Sequence, residues 1–281
     1  MHKLMRQYLL SFSVLLALLT SCGGQGNGVT DESVTDSLAI DSLDADSLAE
    51  AMEMPLLPKA ADELFDDFIF NFAANKKLQK ERVRFPLPVV IAGKTEMLTK
   101  NQWKMEYFFM RQGYYTLLFD NEQHMEVVKD TTVSHAVVEK ISFKTERIRQ
   151  YVFDRYQGMW MLTAIKDIPL SQSNNATFLT FYHQFASDSD FQARHLSSTV
   201  KFIAPDPDDD FSQMEGIITP DTWQAFAPQL PSTTIYNIIY GAPEREGNQK
   251  VFVMRGIANG QELEMTFHRK GKEWKLTKLT T

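Results

Sequence analysis

The sequence predicts an α+β protein in which one domain occurs twice in tandem, behind an acidic N-terminal segment. Three ordered matches of the chain with itself indicate the duplication. They are a phenylalanine-rich segment, a tryptophan and a closing Trp-x-Leu-Thr motif, which pair 65–73 with 178–186, Trp103 with Trp223, and 160–163 with 274–277. The offsets of 113, 120 and 114 residues are close to one another, so a common repeat explains all three.

The first element, residues 1–22, has the pattern of a secretory signal. A short basic start precedes an apolar run from Tyr8 to Leu19, which is too short to span ~30 Å of hydrocarbon. The following Leu19-Thr20-Ser21-Cys22 resembles the lipobox of bacterial lipoproteins, which implies a lipid on Cys22, the chain's only cysteine. Gly23 after it favours the outer membrane by that family's sorting rule. The alternative is an ordinary secretory signal in which Cys22 is incidental.

Residues 23–57 are predicted to form an acidic, disordered tether. This stretch holds eight Asp and Glu residues, no Lys or Arg and no aromatic residue. Its Asp-Ser-Leu triplet recurs every five residues, a period that fits neither a helix nor a strand. We therefore expect an extended spacer between membrane and folded domains, in preference to a leucine-anchored binding motif.

Each copy is predicted to begin with helices and to end in an antiparallel meander. Apolar residues at 65–72 and 178–185 recur with the spacing of an amphipathic helix. A short helix is expected around each repeated tryptophan, with Thr99 and Thr219 as N-caps. Segments rich in β-branched and aromatic residues predict strands at His135–Phe143, Ile148–Tyr156, Met159–Ile168, Ile235–Tyr240, Lys250–Ile257, Leu263–His268 and Trp274–Leu279.

Helices followed by such a meander resemble the cone of the nuclear-transport-factor-2-like (NTF2-like) proteins. The phenylalanine-rich helix, the Gln79–Leu87 segment and the closing Trp-x-Leu-Thr are similar to a family of Bacteroides-type lipoproteins built on that cone. The resemblance covers about Leu57 to Thr281. It implies two tandem cones, 58–170 and 171–281, each with helices packed in a curved antiparallel sheet. Its motifs are structural, so it implies no catalytic residue.

The residues after the tether carry none of the common catalytic, metal or nucleotide motifs. They are close to neutral although the chain's net charge is −7, which excludes a nucleic-acid partner because such proteins need a basic face. The six histidines lack ligand spacing, and we expect no metal and no organic cofactor. The acidic segment 206–210 is predicted to be a stiff surface loop, with a calcium loop as the weaker interpretation.

Some cone proteins are isomerases or dehydratases with an acid or a histidine inside the cone. This resemblance makes Asp67, His183 and His195 the acid/base candidates. Asp67 is next to Phe68 on the amphipathic helix, so we expect it to face solvent. His195 aligns with Arg82 in the repeat, which favours a structural role.

Aromatic residues outside the repeat form the candidate binding surface. The repeated tryptophans are assigned to the core. Tyr107, Phe108, Tyr114 and Tyr115 have no aromatic counterpart in the second copy, where Ala225-Phe226-Ala227-Pro228 stands. Such residues are candidates for contact with a ligand or a partner protein. The alternative is that they cover the first domain's own core.

These observations favour a membrane-anchored, non-enzymatic module of the cell envelope that binds a small ligand or another envelope protein. Its predicted location is the outer membrane, through the lipid on Cys22. Two alternatives stay open. One is an acid/base enzyme of isomerase, dehydratase or hydrolase type, and the other is a structural subunit of an outer-membrane complex.

Overall fold

The helices and strands follow one another in the predicted order. The computed structural model describes residues 62–241 and 247–281. The predicted signal peptide, Cys22 and the predicted tether, all within residues 1–61, lie outside the described residues. The helices are α1 (Phe65–Ala74), α2 (Lys76–Arg82), α3 (Ala176–Ser187) and α4 (Ser189–Arg194). The strands are β1 (Leu87–Ile91), β2 (Lys94–Leu98), β3 (Tyr114–Phe119), β4 (His135–Ser142), β5 (Arg147–Tyr156), β6 (Met159–Pro169), β7 (Leu196–Asp206), β8 (Asp209–Ile218), β9 (Thr234–Tyr240), β10 (Gln249–Gly256), β11 (Glu262–Lys270) and β12 (Glu273–Thr280).

The two amphipathic helices and the seven predicted strands are confirmed within one to a few residues, and the α+β class with them. The prediction of a helix around Trp103 is wrong. The Gln102 side chain accepts hydrogen bonds from the N–H and the hydroxyl of Thr99, which closes a turn in place of a helix. Trp223 begins a single 3₁₀ turn, Trp223–Ala225. The acidic segment predicted to be a loop forms the hairpin turn between β7 and β8.

The strands of the described residues form one continuous sheet in the order β2-β1-β6-β5-β4-β9-β3-β10-β11-β12-β7-β8. We call 62–172 the first half and 173–281 the second half. Each half occupies one side of the sheet, with one exception at the centre. Strand β9 of the second half pairs with β4, and β3 of the first half pairs with β10, both antiparallel. The two halves have therefore exchanged equivalent strands, and β3 and β9 lie parallel between them.

The hydrophobic residues form two cores, one for each half. The first core contains Val251 and Val253 of β10, whereas Phe252 between them belongs to the second core. Neighbouring residues of a strand point to opposite faces of a sheet. The two cores therefore lie on opposite faces of the central strands, with α1 packed in the first core and α3 in the second.

A buried glutamine holds each half together in the same way. In the first half, Gln79 donates to the Phe72 carbonyl (2.9 Å) and accepts from the indole N–H of Trp103 (3.3 Å). In the second half, Gln192 donates to the Phe185 carbonyl (2.7 Å) and accepts from Trp223 (2.9 Å). These are the residues that the sequence repeat aligns.

Candidate functional site

The aromatic residues singled out in the sequence divide into two kinds. Phe108 and Tyr115 are buried in the first core, 3% and 5% exposed. Their burial fits the alternative that they cover the first half's own core. Tyr107 and Tyr114 are partly exposed, and the guanidinium of Arg111 lies 4.1 Å from the Tyr107 ring centre. Tyr107 and Arg111 belong to a polar site beside the first core, which also contains Glu106.

Glu106 stands at the centre of this site, and α2 fixes its backbone. The side-chain amide of Gln79 donates to the Glu106 carbonyl (2.7 Å), and its oxygen accepts from the Glu106 N–H (3.0 Å). The Glu106 carboxylate in turn accepts from the hydroxyl of Tyr151 on β5 (2.7 Å). One buried glutamine therefore joins the helix, the tryptophan turn and the backbone of Glu106.

Three cationic side chains lie near the two tyrosines beside Glu106: Arg111 and Lys140 act on Tyr236, and Arg149 acts on Tyr151. Arg149 and Lys140 are directly opposite on β5 and β4, and Lys140 is directly opposite Tyr236 on β9. The Lys140 ammonium lies 5.6 Å from the Tyr236 ring centre. We call Glu106, Arg111, Lys140 and Arg149, with Tyr107, Tyr151 and Tyr236, the cationic cluster. Like charges directly opposite on neighbouring strands repel each other, so the cluster favours a negatively charged occupant.

The acids nearby offset these cations only in part. Asp167 lies 3.5 Å from Arg149 but also pairs with Arg147 at 3.4 Å, so it is shared. The Nε of Arg149 is buried and has no hydrogen-bond partner within 62–241 and 247–281. Burial and then the charge of Glu106 raise the pKa of Tyr151 and of Tyr236. Both tyrosines therefore stay protonated and able to donate hydrogen bonds.

A second polar group lies against the first core where α1 begins. The Tyr240 hydroxyl donates to Asp66, and Tyr115 is directly opposite Arg255 in the β3–β10 register. Burial raises the pKa of Asp66, against the lowering effects of the Tyr240 hydrogen bond and the Arg255 charge. Burial, with a further contribution from Asp66, raises the pKa of Tyr115 to about 12. Asp66 is thus a partly buried carboxyl group beside two tyrosines.

The structure does not bring the three acid/base candidates of the sequence together. Asp67 is exposed on α1, as expected. His183 of α3 stacks on Phe143, with ring centres 4.9 Å apart. His195, after α4, stacks on Phe191 at 3.8 Å and bonds through Nδ1 to the Phe191 carbonyl. The three candidates have separate surroundings, and His183 and His195 each pack on a phenylalanine ring.

Neither a metal centre nor a membrane-spanning helix is found in the part of the chain that the structure describes. Within it, the histidine, cysteine, aspartate and glutamate side chains nowhere form a group of three that could hold a metal ion. The helices there are too short or too polar to cross a bilayer. Asp206, at the β7–β8 turn, instead accepts a hydrogen bond from the Asp208 N–H.

Comparison with known proteins places the chain in a family. The model of a domain of unknown function, DUF4348, matches residues 44–281. The chain belongs to the DUF4348 family. None of the curated proteins matches this DUF4348 chain. A crystal structure of an NTF2-like protein from Bacteroides fragilis is similar to it, with 40% identity and a TM-score of 0.73 over 80% of this chain and 98% of that one. The predicted NTF2-like resemblance is confirmed as a likeness of fold.

Sequence reasoning missed most of the residues that form these polar groups. Asp66 was passed over for its neighbour Asp67, and Lys140, Arg149 and Arg255 were not singled out, because each lies within a predicted strand and outside any of the common motifs. One signal was available. Lys140 and Arg149 stand at a predicted hairpin, Lys140 three residues before its first strand ends and Arg149 near the start of the next, so antiparallel pairing would place them opposite each other.

Proposed function

We propose that this DUF4348 chain is a membrane-anchored, non-enzymatic binding module of the cell envelope. Two NTF2-like cones, 58–170 and 171–281, would stand on the tether 23–57, with a lipid on Cys22 holding them to the outer membrane. The lipobox-like sequence supports the anchor. The repeated glutamine–tryptophan contacts and the two cores support the two cones, which share exchanged strands.

The cationic cluster is the observation that carries the binding role. Arg111, Lys140 and Arg149 lie near Tyr236 and Tyr151, Asp167 is shared between Arg149 and Arg147, and the Nε of Arg149 has no partner in the described residues. A carboxylate or phosphate group on a ligand would offset the repulsion and accept from the guanidinium. The neutral tyrosine hydroxyls suit hydrogen bonding more than proton transfer, since catalysis needs a pKa near the working pH. The proposed ligand is therefore a small anion-bearing molecule.

Calorimetric titration tests this site. Inorganic phosphate and succinate are titrated into the full chain carrying Cys22→Ser, and into the same chain with Lys140→Gln or Arg149→Gln. We expect at least one anion to bind, and each variant to weaken its binding at least tenfold. Lys166→Gln is the matched control, because Lys166 is exposed on the neighbouring strand β6 and faces away from the first core. Equal affinity in all variants, or no binding of either anion, would contradict the site.

The anchor is tested separately, in the organism that makes the protein. Growth with an alkyne-tagged fatty acid should label the wild-type chain, and Cys22→Ser should remove the label and release the protein from the membrane fraction. If the wild-type chain is not labelled, Cys22 carries no lipid and the proposed anchor is contradicted.

A second candidate function, acid/base catalysis, rests on Asp66. A carboxyl group with a raised pKa beside two tyrosines is an arrangement that can transfer protons. A carbon-13 NMR titration of the aspartate carboxyl groups, assigned with Asp66→Asn, measures the pKa directly. A value near neutrality supports the enzyme, and an ordinary value rules out Asp66 as a general base that also acts as an acid at neutral pH.

A further inference from the structure

The two halves differ most sharply at one pair of facing residues in the central sheet. Glu139 of β4 is directly opposite Asn237 of β9. The repeat offsets of 114 and 120 residues relate this pair to Val253 of β10 and Leu117 of β3, which are also directly opposite each other. An apolar pair buried in the first core thus corresponds to a carboxyl–amide pair on the other face.

Glu139 and Asn237 are buried, and no ion pair involves Glu139 in the part of the chain that the structure describes. Each is 2% exposed. The Glu139 carboxylate accepts from the side-chain amides of Gln150 (2.9 Å) and Asn237 (3.3 Å). The Oδ1 of Asn237 is buried and has no partner within the described ranges 62–241 and 247–281. A buried carboxyl group and a buried unpaired amide oxygen both cost stability, so an apolar pair would serve the fold better.

The segment over this face also differs between the halves. In the first half, the 3₁₀ turn Phe108–Arg111 places Phe108 and Phe109 in the first core. The repeat offset of 120 puts Pro228 and Gln229 at those positions in the second half, within an irregular connection that runs from the Trp223 turn to β9. Ala227 and Leu230 of this connection pack against the second core, whose face carries Glu139 and Asn237. The second half therefore has Pro228 and Gln229 in place of two phenylalanines, and it has Glu139 and Asn237 in place of an apolar pair on its face of the sheet.

We propose that Glu139 and Asn237 form a second ligand site, on the second-core face, for a small molecule that carries a primary ammonium group. The ammonium group has three donors and a positive charge. It would compensate the Glu139 charge and donate to the unpaired Asn237 Oδ1 at the same time. The apolar part of such a ligand would lie against the connection 226–233, which has Pro228 and Gln229 where the first half has Phe108 and Phe109. The site goes beyond the anion binding proposed above, because it has the opposite charge preference and lies on the other face of the sheet.

Nitrogen-15 NMR of the full chain carrying Cys22→Ser tests the site with two probes of equal size, butylammonium and 1-butanol. The readout is the side-chain NH2 signals of Asn237 and Gln150, assigned through Asn237→Leu and Gln150→Leu. We expect saturable shifts of these signals with butylammonium and a response at least tenfold weaker with 1-butanol. Glu139→Gln keeps the hydrogen-bonding shape without the charge, and should weaken butylammonium binding at least tenfold.

Two further variants keep the test independent of folding. The double change Glu139→Val with Asn237→Leu copies the pair of the first core, so it should fold and should no longer bind butylammonium. Glu215→Gln, an exposed carboxylate on β8, should bind like the wild type. Equal binding of butylammonium and 1-butanol, undiminished binding by Glu139→Gln, or the absence of saturable shifts would each overturn the site.

Discussion

At the scale of single residues, the buried polar side chains of this protein fall into two kinds. Gln79 and Gln192 are used at both ends of the amide, since each joins a helix carbonyl to a tryptophan and so fixes a helix against the turn that carries the tryptophan. Asn237 is incompletely used, since its Oδ1 has no partner in the described residues, and its neighbour Glu139 has two amide donors but no ion pair there. Satisfied buried groups define a structure, whereas unsatisfied ones persist where something other than stability maintains them.

Replacing the first glutamine should destabilise the fold. Gln79→Leu leaves the Trp103 indole N–H and the N–H and carbonyl of Glu106 without their partner. We expect the free energy of unfolding to fall by about 2–3 kcal/mol, the cost of unpaired buried groups. Urea unfolding followed by tryptophan fluorescence measures it. Gln224→Leu, at an exposed position next to Trp223, should change it by less than about 0.5 kcal/mol. Equal effects of the two substitutions would show that the hydrogen bonds of Gln79 contribute nothing specific.

Glu139 should make the stability of the ligand-free protein fall as pH rises. Burial raises the pKa of Glu139 above the ordinary 4.5, against the lowering effects of the bonds from Gln150 and Asn237. The folded protein then holds this proton more tightly than the unfolded chain, so the free energy of unfolding declines as pH rises above 4.5. Glu139→Gln removes the effect, and its stability relative to the wild type should increase over that range. Glu96→Gln, exposed on β2, should give a difference that does not depend on pH. A pH-independent difference for Glu139→Gln would show that its pKa is unshifted.

At the scale of helices and strands, local pattern predicted most of the fold but not its central pairing. Phenylalanine spacing located α1 and α3, and β-branched runs located the long strands of the meanders. Five strands were missed. Four of them, β1, β2, β7 and β8, lie at the two edges of the sheet, where partial exposure weakens the hydrophobic alternation. The fifth, β3, lies at the centre, and its Tyr114 and Tyr115 had been considered for a binding surface instead. The exchange of β3 and β9 could not be predicted, because the two strands are equivalent in the repeat and local propensity does not choose between equivalent partners. The same long-range pairing buries Tyr115, a candidate for the binding surface in the sequence analysis, which left burial in the first core as the alternative.

Strand exchange should hold the two halves together after the chain is cut. A protease recognition sequence inserted between Ser173 and Asn174 lies in the connection between β6 and α3. After cleavage we expect the two fragments to elute together in gel filtration, since β9 still pairs with β4 and β3 with β10. They should separate only in denaturant. Separation under native conditions would contradict the exchange.

At the scale of the whole molecule, the protein has two cores on opposite faces of one sheet, and each face offers a different polar chemistry. The first-core face carries the cationic cluster around Glu106, and the second-core face carries Glu139 and Asn237. Each half has its own helices and core. The two halves differ in chemistry at the positions where the repeat is not kept, such as Glu139 and Asn237. The proposed lipid on Cys22 would hold both faces near a membrane.

Native mass spectrometry of the full chain, extracted gently from the membranes of the organism that makes it, tests the binding role most directly. We expect a lipidated chain with a small additional mass, which is retained in Lys166→Gln and lost in the variant carrying both Lys140→Gln and Arg149→Gln. A lipidated wild-type chain without additional mass, an additional mass that the cationic-cluster variant keeps, or the mass of a whole partner protein in place of a small ligand would contradict it.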